Sequence, residues 1–173
     1  MNILSRFKSI KTFVFDIDGV LTDGNLAVLN DGQMARHMNI KDGYALQLAI
    51  KKGYRVMVIS GGNSEALKER LYKLKITNVF MQVENKEQLL MDYVIKNNLP
   101  WGEILFMGDD LPDYKCMQLV ALACCPADSV TEIKGLSKYI SPYKGGQGCA
   151  RDVIEKVLKL NGNWDFGEAP AVI

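Results

Sequence analysis

Residues 13–23 read Phe13-Val14-Phe15-Asp16-Ile17-Asp18-Gly19-Val20-Leu21-Thr22-Asp23, or FVFDIDGVLTD. Three large apolar side chains run straight into two carboxylates spaced i, i+2, and a glycine follows. Such a run reads as a buried strand that stops on its acids. In a strand, i and i+2 point to the same face, so Asp16 and Asp18 crowd two negative charges together at the strand end. That arrangement costs free energy unless a cation or a chemical task compensates it. A calcium loop of EF-hand type is excluded. The places where it needs an oxygen ligand, a glycine and a closing Glu hold Val20, Leu21 and Ala27. Taken alone, the pair also fits a strand end with two solvated acids.

Working outward, short apolar runs alternate with amphipathic stretches. Strands are expected at Thr12–Asp16, Arg55–Ser60, Val79–Gln82, Ile104–Met107 and Ala121–Cys124, with a short sixth at Tyr139-Ile140. Helices are expected between them. One is Lys41–Lys52, with Asp42 as N-cap and Gly53 just past its end. Another is Ser64–Lys75, where Leu67, Leu71 and Leu74 recur at helical spacing. Lys86–Asn97 and Gln147–Leu160 complete the set. This alternation specifies βαβ units, hence an α/β protein with a Rossmann-like parallel sheet and helices on both faces.

Residues 25–39 break the rhythm. Two short strands around Asn30-Asp31-Gly32 predict a β-hairpin after the first strand. The hairpin and one helix use up the stretch between Asp18 and Val56, which leaves no room for a large cap domain. The expectation is a single domain over residues 1–173, ending in a tail at about 161–173. Trp164, Phe166 and Pro170 in that tail are expected to dock on their own subunit or on a neighbour.

Two further stretches give the opening acids company. Val58–Asn63 (VISGGN) ends a strand on the hydroxyl of Ser60, followed by Gly61, Gly62 and a helix. Phe106–Asp113 (FMGDDLPD) ends another on Asp109, Asp110 and Asp113. In an open parallel sheet, ligands bind outside the carboxyl ends of the strands. Each pair of like charges ~4 Å apart costs roughly 4 kcal/mol at an effective dielectric of about 20. A hard divalent cation with oxygen ligands offsets that repulsion, and Mg²⁺ suits a site with few carboxylates and a phosphate. Lys86, opening the next helix, then reads as a counter-charge for a phosphoryl group.

The bulk properties exclude several classes. With 21 basic against 20 acidic side chains the net charge is +1, which gives no electrostatic reason to expect nucleic acid or membrane as partner. No apolar run approaches the ~20 residues that span a bilayer, and the start MNILSRFKSIK carries no signal-peptide pattern, so a cytoplasmic protein is expected. The four cysteines form no C-x-x-C pair, and only His37 exists to complete a zinc site. Cys124 and Cys125, inside VALACC, read as buried free thiols. His37, on the second hairpin strand, reads as a packing or interface position.

D-x-D-G-x-x-T-D, then Ser60, then Lys86, then G-D-D-x-x-D resembles the haloacid dehalogenase superfamily of aspartate-dependent phosphatases. NIKDGYALQLAIKKG (Asn39–Gly53) and GGQGCARDV (Gly145–Val153) extend the resemblance to one family within it, the capless 3-deoxy-D-manno-octulosonate 8-phosphate phosphatases. The resemblance implies Asp16 as the nucleophile that becomes an aspartyl phosphate, and Asp18 as the group that protonates the departing sugar oxygen. It implies Mg²⁺ held by Asp16, the backbone carbonyl of Asp18 and Asp109, with Asp113 in support. Ser60 and Lys86 would bind phosphoryl oxygens, with Gly61 and Gly62 beside them. It also implies a homotetramer assembled through the hairpins, in which a neighbour's C-terminal segment, matched here by Gly145–Gly148 and Arg151, completes each site. The implied role is supply of a lipopolysaccharide precursor.

Two positions bear on the substrate, and the first of them departs from the family pattern. Gln147 stands where close relatives often have Arg, and Gly62 stands where the branch acting on nine-carbon keto-deoxy sugar acids tends to carry Glu. Gly62 favours the eight-carbon substrate over a nine-carbon 9-phosphate; another small sugar phosphate is the remaining alternative. For the substrate carboxylate the candidate is Arg70, on the helix after Ser60, with Lys73 one turn later. A non-catalytic homologue would have eroded this set, and all six of Asp16, Asp18, Ser60, Lys86, Asp109 and Asp113 are present.

Overall fold

The computed structural model describes residues 2–165. Its first half runs α1 (Ile3–Ser9), β1 (Thr12–Phe15), β2 (Ala27–Val28), β3 (Met34–Ala35), α2 (Ile40–Lys51), β4 (Arg55–Ile59), α3 (Glu65–Lys73) and β5 (Asn78–Phe80). The second half runs α4 (Lys86–Lys96), β6 (Ile104–Met107), α5 (Tyr114–Leu119), β7 (Leu122–Cys125), α6 (Thr131–Leu136), β8 (Tyr139–Ile140) and α7 (Cys149–Leu160). Six strands form one sheet in the order β5-β4-β1-β6-β7-β8, and every neighbouring pair in it is parallel. β1 lies inside the sheet with Phe13 opposite Val56 on one side and Leu105 on the other.

Alternation along the strands divides the core in two. Phe13, Phe15, Val56, Val58, Leu105 and Met107 face one layer, packed with α1, α2, α3 and α7 through Phe7, Leu46, Leu71 and Val153. Val14, Met57, Ile59, Ile104 and Phe106 face the other, against Leu90, Met117 and Ile133 of α4, α5 and α6. Because both faces are covered, these strands read as continuous apolar runs. Burial of each phenylalanine contributes about 1.5–3 kcal/mol.

Three helices were not expected. α1, α5 and α6 span only 7, 6 and 6 residues, too short for an apolar period to repeat. Asp42 is not the N-cap of α2; Asn39 fills that role, its side chain accepting from the backbone N–H of Lys41 at 2.8 Å. Asp42 is buried and used elsewhere. β5 ends before Gln82, which adopts φ 55° and donates its N–H to the Gly62 carbonyl.

The hairpin forms as expected, with β2 and β3 antiparallel and the Leu29 N–H bonded to the Gln33 carbonyl at 2.9 Å. Among the described residues there is no large cap domain. Trp164 rests on its own chain, edge-on to Tyr44 and beneath the Arg151 guanidinium. Phe166 and Pro170 lie outside the described residues. All four cysteines are free and buried, as expected for Cys124 and Cys125.

Candidate active site

The chain crosses from β1 to β4 on one side and later reaches β6 on the other, so β1 marks the point where strand order reverses. The carboxyl ends of these three strands carry Asp16, Ser60 and Asp109. After β1 the loop Ile17–Leu21 makes one kinked helical turn. Gly19 sits there at φ 89°, and a Cβ on it would fall 2.0 Å from Asp109 Oδ2. Only glycine permits both that conformation and that approach. Thr22 ties the loop: its Oγ accepts from the N–H of Gly19 and donates to the Ile17 carbonyl.

A second loop props the first from behind. Gly146 N–H donates to the Val20 carbonyl at 2.9 Å, and a Cβ on Gly145 would meet the Gly19 carbonyl oxygen at 2.0 Å. Asp42 anchors this prop, accepting from the backbone N–H of Gly148 at 3.2 Å and of Arg151 at 2.7 Å. Burial nevertheless raises its carboxyl to about 6, because two amides replace only part of the lost water.

At the centre of the site Lys86, at the start of α4, donates from Nζ to Asp16 Oδ1 and Asp113 Oδ1, both at 2.7 Å. All three residues are buried. Asp113 Oδ2 also accepts from the Asp109 N–H at 3.2 Å. Burial, with Asp113 alongside, raises Asp16 to about 7 despite Lys86. Burial, then Asp16 and Asp113, raises Asp109 to about 7 as well. Burial pulls the Lys86 ammonium down, but the two carboxylates outweigh it and the net shift is upward.

One cation for two buried acids and a part-buried third leaves negative charge uncompensated. Asp16, Asp109 and Asp113 each offer a carboxylate oxygen, all within 4.8 Å of one another. Asp109 Oδ1 is buried with no hydrogen-bond partner among the described residues. An orphaned acceptor in an all-oxygen set fits a hard divalent cation.

In front of the acids lies a cavity of about 330 Å³, whose walls bring together Asp16, Asp18, Ser60, Gly61, Gly62 and Lys86 with Asp109, Asp110 and Asp113. Ser60 Oγ accepts from the Gly62 N–H at 3.0 Å, which leaves its proton free to donate into the cavity. Asp110 caps the Leu111 N–H at 2.8 Å. A buried carboxylate, a lysine, a hydroxyl and a half-exposed second acid around one cavity can bind a phosphoryl group, attack it and pass a proton.

Three residues named from the sequence lie elsewhere. Arg70 lines a neighbouring groove between the hairpin and α3. Lys73 reaches back one turn to Glu69 at 3.0 Å and is largely exposed. Arg151 bonds Glu155 and borders a separate cavity of about 650 Å³ that Gln147 and Gly148 also line. His37 does not pack within the chain; its side chain is 82% exposed, 3.6 Å from Asp23. Arg36, not among the residues expected at the site, donates from Nε to Asp18 Oδ1 at 2.6 Å. The one available signal was an arginine in a hairpin that directly follows the paired acids.

No family model matches the chain. It is 26% identical over 171 residues to the 3-deoxy-D-manno-octulosonate 8-phosphate phosphatase KdsC of Escherichia coli K12, covering 99% of this chain and 91% of that one. A crystal structure of the same-named phosphatase from Moraxella catarrhalis, in complex with magnesium ion, phosphate ion and a KDO molecule, superposes with TM-score 0.89. Identity there is 28%, with 93% of this chain and 92% of that chain covered. A probable YrbI family phosphatase from Pseudomonas syringae pv. phaseolica 1448a is 32% identical at TM-score 0.89, with 92% and 91% covered.

Proposed function

Because the chain belongs to the KdsC-like phosphatases of the haloacid dehalogenase superfamily, we propose that it hydrolyses 3-deoxy-D-manno-octulosonate 8-phosphate, with Asp16 as nucleophile. The observation that carries this reading is the buried Asp16 carboxylate, held by Lys86 at the floor of a cavity where Asp18 and Ser60 converge. Its support for this substrate is the likeness to KdsC and to the Moraxella catarrhalis structure.

Asp16, Asp109 and Asp113, with the backbone carbonyl of Asp18, would hold Mg²⁺. Bound there, it neutralises charge on the phosphoryl oxygens. Lys86 and Ser60, which line the same cavity, would position the phosphoryl group. An Asp16 oxygen attacks phosphorus, the bond from phosphorus to the sugar oxygen breaks, and that oxygen takes the proton carried by Asp18. Asp18, now a carboxylate, takes a proton from water as the water oxygen attacks phosphorus. The bond to Asp16 breaks, which frees inorganic phosphate and restores the Asp16 carboxylate. Asp18 is suited to this shuttle because, unlike Asp16, it is part-exposed and stands at the cavity mouth.

The substrate is tested by phosphate release from the octulosonate 8-phosphate, its nine-carbon 9-phosphate analogue and a panel of hexose phosphates. A preference for the octulosonate of a hundredfold or more in kcat/KM, on the order of 3 kcal/mol, is expected. Preference for the nine-carbon compound would replace the substrate and leave the chemistry standing. We assign the same protein to lipopolysaccharide precursor synthesis in the cytoplasm. We also assign it a tetrameric assembly through the hairpin, where Val28 and Met34 are exposed, with Gly145–Gly148 and Arg151 of a neighbour closing the site.

The ligand set makes a pH prediction. Asp16 and Asp109 are raised to about 7 in the folded protein, so it keeps protons that the unfolded chain releases above about pH 4. Stability of metal-free protein therefore falls as pH rises from about 4 through about 7. Mg²⁺ competes with those protons, so its stabilisation grows over the same range. Melting temperature at about pH 6 and pH 8, with EDTA or with Mg²⁺, checks this; an Mg²⁺ shift equal at both would reject these carboxylates as the ligands.

A further inference from the structure

The groove beside the catalytic cavity, about 410 Å³ between the hairpin and α3, is walled by Met34, Met38 and Leu67 with Arg36 and Arg70. Arg36 is the residue that joins the two spaces. Its Nε is bonded to Asp18, on the wall of the catalytic cavity, and its body lines the groove. The side chain is only 9% exposed, although the hairpin carrying it is on the surface. Among the described residues its Nη groups have no hydrogen-bond acceptor. With its Nε committed to Asp18, which is 40% exposed, Arg36 has its Nη donors left over for a ligand or for water.

Gly62 faces the same place. Its backbone does not adopt the left-handed region, so glycine is not required for conformation. A Cβ there would stand 3.1 Å from Asp18 Oδ2 and 3.6 Å from Arg36 Nη2. The missing side chain keeps open the neck between cavity and groove, with the Arg36 Nη end beside it.

We propose that Arg36 is the specificity-determining residue of this site: its guanidinium receives the carboxylate of the sugar acid at the neck, while the phosphate lies against Asp16 and the sugar extends into the groove. This rests on the sugar-acid reading above. A planar fork of N–H donors matches a carboxylate in two parallel bonds, which a lysine cannot reproduce. Asp18 Oδ1 remains within reach of the Nε, so Asp18 is oriented while Oδ2, on the Gly62 side, is the oxygen left to carry the proton.

The test compares the octulosonate 8-phosphate with its C1 carboxamide, using wild type, Arg36→Gln and Arg36→Lys, each checked by thermal melt. Wild type is expected to favour the carboxylate by about 10- to 100-fold in kcat/KM, mainly through KM. Arg36→Gln is expected to abolish that preference, and Arg36→Lys to restore part of it. If Arg36→Gln loses activity on both compounds with the preference intact, Arg36 only positions Asp18 and the proposal is overturned. If wild type turns over the two equally, Arg36 does not read the carboxylate. If folded wild type turns over neither but cleaves hexose phosphates, the sugar-acid reading itself has failed and this assignment falls with it.

Discussion

Asp16→Asn is expected to fold, to melt at or above the wild-type temperature without metal, and to release phosphate at least about 10⁴-fold more slowly. The two halves of that expectation have one origin. Asp16 is buried beside Asp113, and its carboxyl is held up to about 7 by that burial and that neighbour. An amide of the same shape removes a charge the fold accommodates at a cost. It also removes the oxygen that bonds to phosphorus, and no other side chain stands in its place. Lys86 keeps Asp113 as partner at 2.7 Å, so no cation is stranded. Phosphate release with saturating Mg²⁺, alongside thermal melts with EDTA, reads both. Residual activity within tenfold of wild type would remove Asp16 from the nucleophile role.

Lys86→Met separates the two duties of that lysine. In the metal-free protein it strands two carboxylates that share one ammonium, with Asp109 close by. Breaking a buried pair by removing one partner typically costs about 3–5 kcal/mol. The acids offset part of this by taking up protons, so the loss is expected to be largest above about pH 7, where Asp16 and Asp109 ionise. Saturating Mg²⁺ is expected to return most of the stability, since a divalent cation serves the same carboxylates. Activity is not expected to return: a donor to the phosphoryl oxygens is still missing, and a loss of about 10²–10³ in kcat follows from removing one such donor. Urea midpoints and phosphate release, each with and without Mg²⁺, give the four measurements. Recovery of both by Mg²⁺ would mean that Lys86 only balances charge.

How much of this was legible in the sequence depends on the range of the interaction. Asp16, Ser60 and Asp109 each end a strand, and a parallel sheet brings strand ends together without further information. Lys86 followed because it opens a helix next to them. Arg36 meets Asp18 through the path of a short hairpin, and nothing local to either residue encodes that path. Lys73 illustrates the converse. Its helical spacing from Arg70 is real, but a Glu69 one turn back captures the ammonium. Asp42 has the composition of an N-cap and the burial of a core residue, and only tertiary contact with Gly148 and Arg151 decides between them.

That last contact bears on synthesis. Every ionisable group at the centre of the cavity, from Asp16 to Asp113, is translated well before the prop of Gly145–Arg151 that Asp42 anchors. A nascent chain ending at Ile140 holds all six sheet strands and a complete set of acids, yet the loop carrying Asp18 has nothing behind it. The segment that follows Ile140 thus acts as a lock turned after the mechanism is in place. An unfinished chain on the ribosome holds the reagents without the geometry to use them.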